Sequence, residues 1–298
     1  MHRRKFGLLT SGALAAVVAP RATGSPPPPS EWTSLWNGKD FDGWSTWLQK
    51  PEPDSEVPGL TKDAKGRYTQ PIGPGLDPLK VFSIDPTCDG APAIRISGEC
   101  FGELRSTRSL ENYHLKLQFK WGQKTWPPRN HPDSMRDSGI LYHVHSAPGA
   151  EGRTWARSIE LQIQEGDVGD LYAVGSAIGV RAKVLPHSDP PAYIHDPLGT
   201  WTFFSQISGQ TGRCIKFPNA EKPNGQWNTL ELICLGPDCI HIVNGTVVMR
   251  LHSPMRIDGN IPTPVTSGPI LLQSEGAEVF YRDLSFRSIS SIPPEYAL

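Results

Sequence analysis

In YHLKLQFKW, residues 113–121, every second side chain is large and apolar. Tyr113, Leu115, Leu117 and Phe119 fall on one side of an extended chain, with His114, Lys116, Gln118 and Lys120 on the other. That period of two fits a half-buried strand and not a helix. Alternation recurs in VFSID, AIRISGE, GELRS, SIELQIQ and AEVFYRDLSFRS. Thirty prolines, 29 glycines and nine tryptophans among 298 residues, without a long helical period, supply the turns between short strands. The expectation is an all-β chain. Its clearest hairpin is LELICLGPDCIHIVNGTVVM, with a loop at Gly236-Pro237 and an Asn244-Gly245 pair suited to a type I′ turn. Residues 50–80 read as a long surface excursion, and about 181–226 as a second irregular stretch that walls or caps a cleft. The last alternating strand, paired back near the N-terminus, would close a single two-sheet sandwich, with no internal repeat and no second domain.

The ends of the chain read differently. Residues 1–24 have a basic start, an apolar run too short to span a bilayer and small residues after it, the pattern of an export signal. Arg3 and Arg4 before Lys5 and Phe6 resemble the twin-arginine version. Residues 25–30, SPPPPS, form a linker, residues 31–289 the sandwich domain and residues 290–298 a tail. The mature protein is expected in the periplasm or secreted, without membrane insertion. A formal net charge of -1 with both signs interspersed gives no field for nucleic acid or an anionic membrane, so a neutral ligand fits better. Five cysteines, at 88, 100, 214, 234 and 239, include no Cys-x-x-Cys spacing. Cys234 and Cys239 bracket LGPD, which allows either a disulfide or two buried thiols.

SIELQIQEGDVGD, residues 158–170, threads polar groups through an apolar strand. Ile159, Leu161 and Ile163 point to the core; Glu160, Gln162 and Gln164 face water or a ligand. In SGILYHVHS the same parity sorts Ile140, Tyr142 and Val144 from Leu141, His143 and His145. If the two segments pair, His143, His145, Glu160 and Gln162 meet on one sheet, bringing together a base, an acid and hydrogen-bonding amides. A solvated sheet face is the plain alternative. Two histidines and a carboxylate are also metal-ligand types, although no third ligand is fixed by spacing. ELQIQE compares with the E-x-D-x-x-E strand of retaining laminarinase-type β-glucanases. Here Gln162 stands at the central acid, and without a bulge Glu165 points away from Glu160.

SLWNGKDFDGW, FGELRS, LKLQFKWG, RDSGILYHV, SIELQIQEGDVGD, WNTLELICLG, IVNG and GPILLQSEGAEVFYRDLSFR, in that order, resemble the 3-keto-disaccharide hydrolase domain over roughly residues 31 to 289. The resemblance implies a concanavalin A-like jelly-roll β-sandwich of the lectin and glucanase type, acting on sugars oxidised at C3. The oxidised carbohydrate would come from a sugar 3-dehydrogenase. Such a ketone acidifies the C2 hydrogen, so a base forms an enolate, the C1 oxygen leaves and water adds. On this reading His143 and Glu160 are base and proton donor in either order. Lys120 and Arg136 are candidates to hold the enolate, and Asp137, His145, Gln162, Glu165 and Gln273 to bind sugar hydroxyls. Trp126 or Trp155 would stack a ring. No cofactor is required, though a divalent metal could help hold the enolate. Two other functions share the same pattern: a non-catalytic carbohydrate-binding module, and a retaining glycoside hydrolase using Glu160 and Glu165.

Overall fold

A computed structural model describes residues 31–206, 211–259 and 261–297; the expected export signal and linker lie outside these residues. Two antiparallel sheets face each other. The first, here the cleft sheet, runs in the order Arg213–Cys214, Leu171–Val174, Ser158–Gln164, Asp137–Tyr142, Ser267–Ser274, Gly102–Glu111, Trp44–Leu48 and Gly73–Pro74. The second, the back sheet, is centred on Asp238–Val243, Asn228–Leu235, Tyr113–Thr125 and Ala277–Ser288. Thr33–Ser34 pairs with Phe286 and Ser285, so the final strand does return to the N-terminal segment.

The inward faces follow the alternation. Tyr113, Leu115, Leu117 and Phe119 of the back sheet join Ile140, Tyr142, Ile159, Leu161 and Ile163 of the cleft sheet in one buried cluster. Full burial of each Leu or Ile side chain contributes about 1.5–3 kcal/mol, so this layer supplies much of the cohesion between sheets. Polar ties cross it too. Ser138 Oγ donates to the Gln273 carbonyl at 2.7 Å and lies 2.7 Å from the Tyr281 hydroxyl, which reaches across from the back sheet.

Turn chemistry also matches. Asn244 and Gly245 have φ of 50° and 79° between paired Val243 and Thr246, the left-handed pair a type I′ turn requires. Asn244 tolerates the strain because its side chain accepts from Thr229 N–H and donates to the Ala220 carbonyl, at 2.9 and 2.8 Å. Cys234 and Cys239 stand opposite each other in the preceding hairpin as free thiols.

The stretch from 181 to 226 is more ordered than its composition suggests. Ser176–Val184 runs into it, and Tyr193–His195 and Thr200–Ser205 both pair with that strand. Residues 50–80 do form an excursion, pinned by Tyr68, whose hydroxyl donates to the Ser55 carbonyl at 2.7 Å and accepts from Val57 N–H at 3.0 Å. The segment after residue 289 docks rather than trailing free. Arg250 donates to the Tyr296 carbonyl at 2.7 Å, the Tyr296 hydroxyl donates to Glu231 at 3.1 Å, and Ile292 and Tyr296 pack on Ile233, Ile240 and Ile242. Among the described residues, no helix is long and apolar enough to cross a membrane.

Candidate active site

The outward face of the cleft sheet carries the polar row. Register places Gln164 opposite Asp137, Gln162 opposite Gly139 and Glu160 opposite Leu141, while Tyr172 flanks Glu160 from the other side. Gln273, on the next strand, is paired with Glu103. Together with Arg129, Arg153, Thr154, Trp155 and Glu275 these side chains line a cleft of about 510 Å³, within the size range of small-ligand sites. Gly139 sets its depth. A Cβ there would lie 2.1 Å from Glu160 Oε1 and 2.7 Å from Gln273 Oε1, so only a hydrogen fits between the two side chains.

Two acids share one guanidinium, and a third stands near them without it. Arg129 contacts Asp137 Oδ2 and, at 2.9 Å, Glu275 Oε1; Gln164 Nε2 donates to Asp137 Oδ2 at 2.7 Å. Burial raises the Asp137 pKa to about 6, against the pull of Arg129 and Gln164. Burial and the neighbouring Asp137 raise Glu275 to about 8, again opposed by Arg129. Glu160 has no cation. Only 4% exposed, it is pushed well above the ordinary carboxylate range by burial first, then by Glu275 and Asp137. The cleft therefore sets side by side a carboxyl raised to about 6, Asp137, and one that burial pushes well above the ordinary carboxylate range, Glu160, the kind of divergence that separates base from acid. Glu160 Oε1, Asp137 Oδ1 and Gln273 Oε1 are buried and accept no hydrogen bond from the described residues. A ligand rich in hydroxyl donors satisfies such acceptors.

The parity argument holds for Glu160, Gln162 and Gln273, which share this face with Asp137. It fails at His143. The strand ends at Tyr142, and His143 adopts φ of 51°, which turns its side chain to the same side as that of Tyr142. His143 is thus fully buried between the sheets with Nε2 3.5 Å from Cys239 Sγ, and Val144 takes the outward place beside Leu141. His143 and Glu160 open onto opposite sides of the sheet, so His143 cannot partner Glu160. The metal reading of His143, His145 and Glu160 falls with it. His145 turns aside, with Nδ1 donating to the His143 carbonyl at 2.8 Å and Nε2 3.5 Å from Ser176 Oγ.

Three other expected residues lie elsewhere. Lys120 is on the outer face of the back sheet, paired with Asp89 at 2.5 Å and over the Trp227 ring. Glu165 lies past the end of its strand, held by Arg136 at 3.0 Å and Asn224 at 3.2 Å, and no bulge returns it to Glu160. Arg136 is occupied by that pair. Trp155 lines the cleft, stacked on Phe101 at 5.8 Å, whereas Trp126 donates its indole N–H to the Ser97 carbonyl and does not. Sequence reasoning set Gln164 on the face toward water or a ligand without giving it a role, and passed over Arg129, Arg153, Tyr172 and Glu275. Gln164 and Glu275 share the parity of Gln162 and Gln273 and were within reach of it; the two arginines come from irregular loops that carry no period.

Two antiparallel sheets with an acid-lined cleft across one of them make this a β-sandwich with a candidate small-ligand site on one face. The chain belongs to the 3-keto-alpha-glucoside-1,2-lyase-like domain family, which it matches over residues 31–287, and is a carbohydrate-active enzyme. No curated protein matches the sequence. Among solved structures, a putative glycosyl hydrolase from Parabacteroides distasonis is 16% identical, with 87% of this chain and 100% of that one covered and a TM-score of 0.45. LamAcat from Zobellia galactanivorans is 11% identical (88% and 97% covered, TM-score 0.39). The carbohydrate-binding module CBM66 from Bacillus subtilis is 8% identical (70% and 92% covered, TM-score 0.39).

Proposed function

We propose that this cleft cleaves 3-keto-glycosides by elimination at C1 followed by hydration, with Asp137 as base and Glu160 as proton donor. The observation that carries this reading is the split between the two carboxyls. Both face one cleft; Asp137, held by Arg129 and Gln164, is raised only to about 6, while Glu160, buried without a partner for Oε1, is pushed well above the ordinary carboxylate range, which favours Asp137 as base and Glu160 as donor. The Asp137 carboxylate removes the C2 proton, whose electron pair passes into the C2–C3 bond as an enolate. Collapse of the enolate breaks the C1–O bond, and Glu160 transfers its proton to the departing oxygen. Water then adds across the unsaturated ketone, placing hydroxyl on C1 and a proton on C2. Arg153, on the cleft wall and paired only loosely with Glu151 at 3.6 Å, is the cation assigned to the enolate oxygen, because Arg129 is held more tightly by Asp137 and Glu275. Gln162, Gln164 and Gln273 hold sugar hydroxyls, and Trp155 offers a ring face.

The substrate depends on a sugar 3-dehydrogenase to install the ketone, and we place the enzyme outside the cytoplasm on the strength of its N-terminal sequence. A chromogenic 3-keto-glucoside mixed with the purified protein should release its aglycone, whereas the unoxidised glucoside should not. Asp137→Asn and Glu160→Gln should each lower kcat about a hundredfold or more. Unchanged turnover in either variant overturns that residue's role. Cleavage of an unoxidised β-glucan, or binding without any turnover, overturns the reaction.

A further inference from the structure

A second cluster of reactive side chains lies inside the sandwich, apart from the cleft. His143 Nε2, Cys234 Sγ and Cys239 Sγ all fall within 4.8 Å of one another, and His143 Nε2 is 3.5 Å from Cys239 Sγ. None is more than 1% exposed. The hairpin register sets the two thiols side by side on the back sheet, and the left-handed turn at residue 143 swings an imidazole down from the cleft sheet to meet them. A β-strand that simply stopped at Tyr142 would have no need of a strained, buried histidine at this point.

An independent observation points to a ligand here. The Tyr113 hydroxyl, in a residue 1% exposed, finds no oxygen or nitrogen partner among the described residues and lies against the thiol of Cys234, its register partner on the neighbouring strand. An unsatisfied buried polar group costs about 1–3 kcal/mol, so a phenol gathered with two thiols and an imidazole in an apolar layer makes a poor core unless something is shared between them. A Cys234–Cys239 disulfide would leave both the imidazole and the phenol unsatisfied. Two thiols and an imidazole, with no carboxylate among them, are the donor types of soft, tetrahedral metal centres. Sulfur and nitrogen ligands about 2.0–2.3 Å from a tetrahedral ion stand roughly 3.5–3.8 Å apart. The His143–Cys239 separation already meets that spacing, and the widest of the three needs about one ångström of closure.

We infer that His143, Cys234 and Cys239 form a structural zinc-class metal site that ties the two sheets together, with the Tyr113 hydroxyl beside Cys234 as the fourth ligand. Binding releases the two thiol protons, so affinity rises with pH. The site is remote from the sugar chemistry, and it stands or falls independently of the reaction proposed above.

The test is to produce the full chain in medium supplemented with cobalt or zinc and purify it without chelators. One metal ion per chain, with sulfur-to-cobalt charge-transfer absorption in the cobalt form, is the expected result. Cys239→Ser should abolish that absorption, while Cys100→Ser, at a buried cysteine elsewhere, should keep it. Should Cys239→Ser fail to fold, the wild-type chain still decides the matter through its metal content and its thiol count under denaturing conditions. Only trace metal with no charge-transfer band overturns the proposal. So does a chain with three titratable thiols and a Cys234–Cys239 bridge.

Discussion

Glu160 is a costly residue for the folded state. In the unfolded chain a glutamate ionises near pH 4.3, whereas the folded protein holds Glu160 protonated to a much higher pH. Below the unfolded value both states carry the proton and the burial costs nothing extra. As pH rises above it, the unfolded chain releases a proton that the folded chain retains, so stability is lost progressively up to the folded pKa. Glu160→Gln removes this term. Its Tm should exceed that of the wild type at pH 8, and the gain should vanish by pH 4, while turnover collapses. An equal Tm difference at both pH values would show that Glu160 is not the buried acid described here. The residue was legible because its strand is regular, so that parity along SIELQIQ assigns each side chain a face. His143 was not legible, because parity is valid only while the backbone stays extended, and one residue at φ of 51° reverses it. Arg129 comes from a proline-rich loop, where no pattern in the chain specifies direction.

At the level of the element, the strand Asp137–Tyr142 does two jobs with alternate residues. Asp137, Gly139 and Leu141 face outward, and Ser138, Ile140 and Tyr142 face the core. Sequence alternation predicted that division, but not why position 139 is a glycine. The reason is the approach of Glu160 and Gln273 from the flanking strands, which no local pattern records. Gly139 has no positive φ, so alanine is free of backbone strain there, and the atoms its methyl meets first belong to the two polar side chains. Gly139→Ala should therefore reduce kcat/KM by about tenfold or more through displacement of Glu160, since misplacing a catalytic group by an ångström costs up to about a hundredfold. Its Tm should shift little, by the scale of an overpacking cost of about 1–3 kcal/mol at most. Wild-type kinetics would mean that the Glu160 carboxyl does not work where it now sits. The short strands within 181–226 teach the complementary lesson. Their prolines and glycines look like loop, and pairing with Ser176–Val184, a tertiary property, is what orders them.

For the whole molecule, the two-sheet architecture was written in the period of the strands, whereas what covers its surfaces is set by tertiary contacts. The segment after residue 289 illustrates this: short and proline-rich, it reads as a tail, yet it covers Ile233, Ile240 and Ile242 on the outside of the back sheet. Ending the chain at Ser290 would uncover those side chains and remove two hydrogen bonds from Tyr296. That should lower stability by about 2–4 kcal/mol and Tm by several degrees. Sugar turnover at room temperature should be preserved, because the cleft is on the other sheet; a loss of activity without a loss of stability would contradict the placement. The same separation of layers is bridged at Ser138, which hangs beneath the strand that offers Asp137 and Gly139 to the sugar and touches the Tyr281 phenol. A guest that nudges this strand also perturbs a chromophore sealed from solvent. If occupancy shifts that strand, a glycoside too inert to react should still perturb the tyrosine absorption band, and Tyr281→Phe should remove the change.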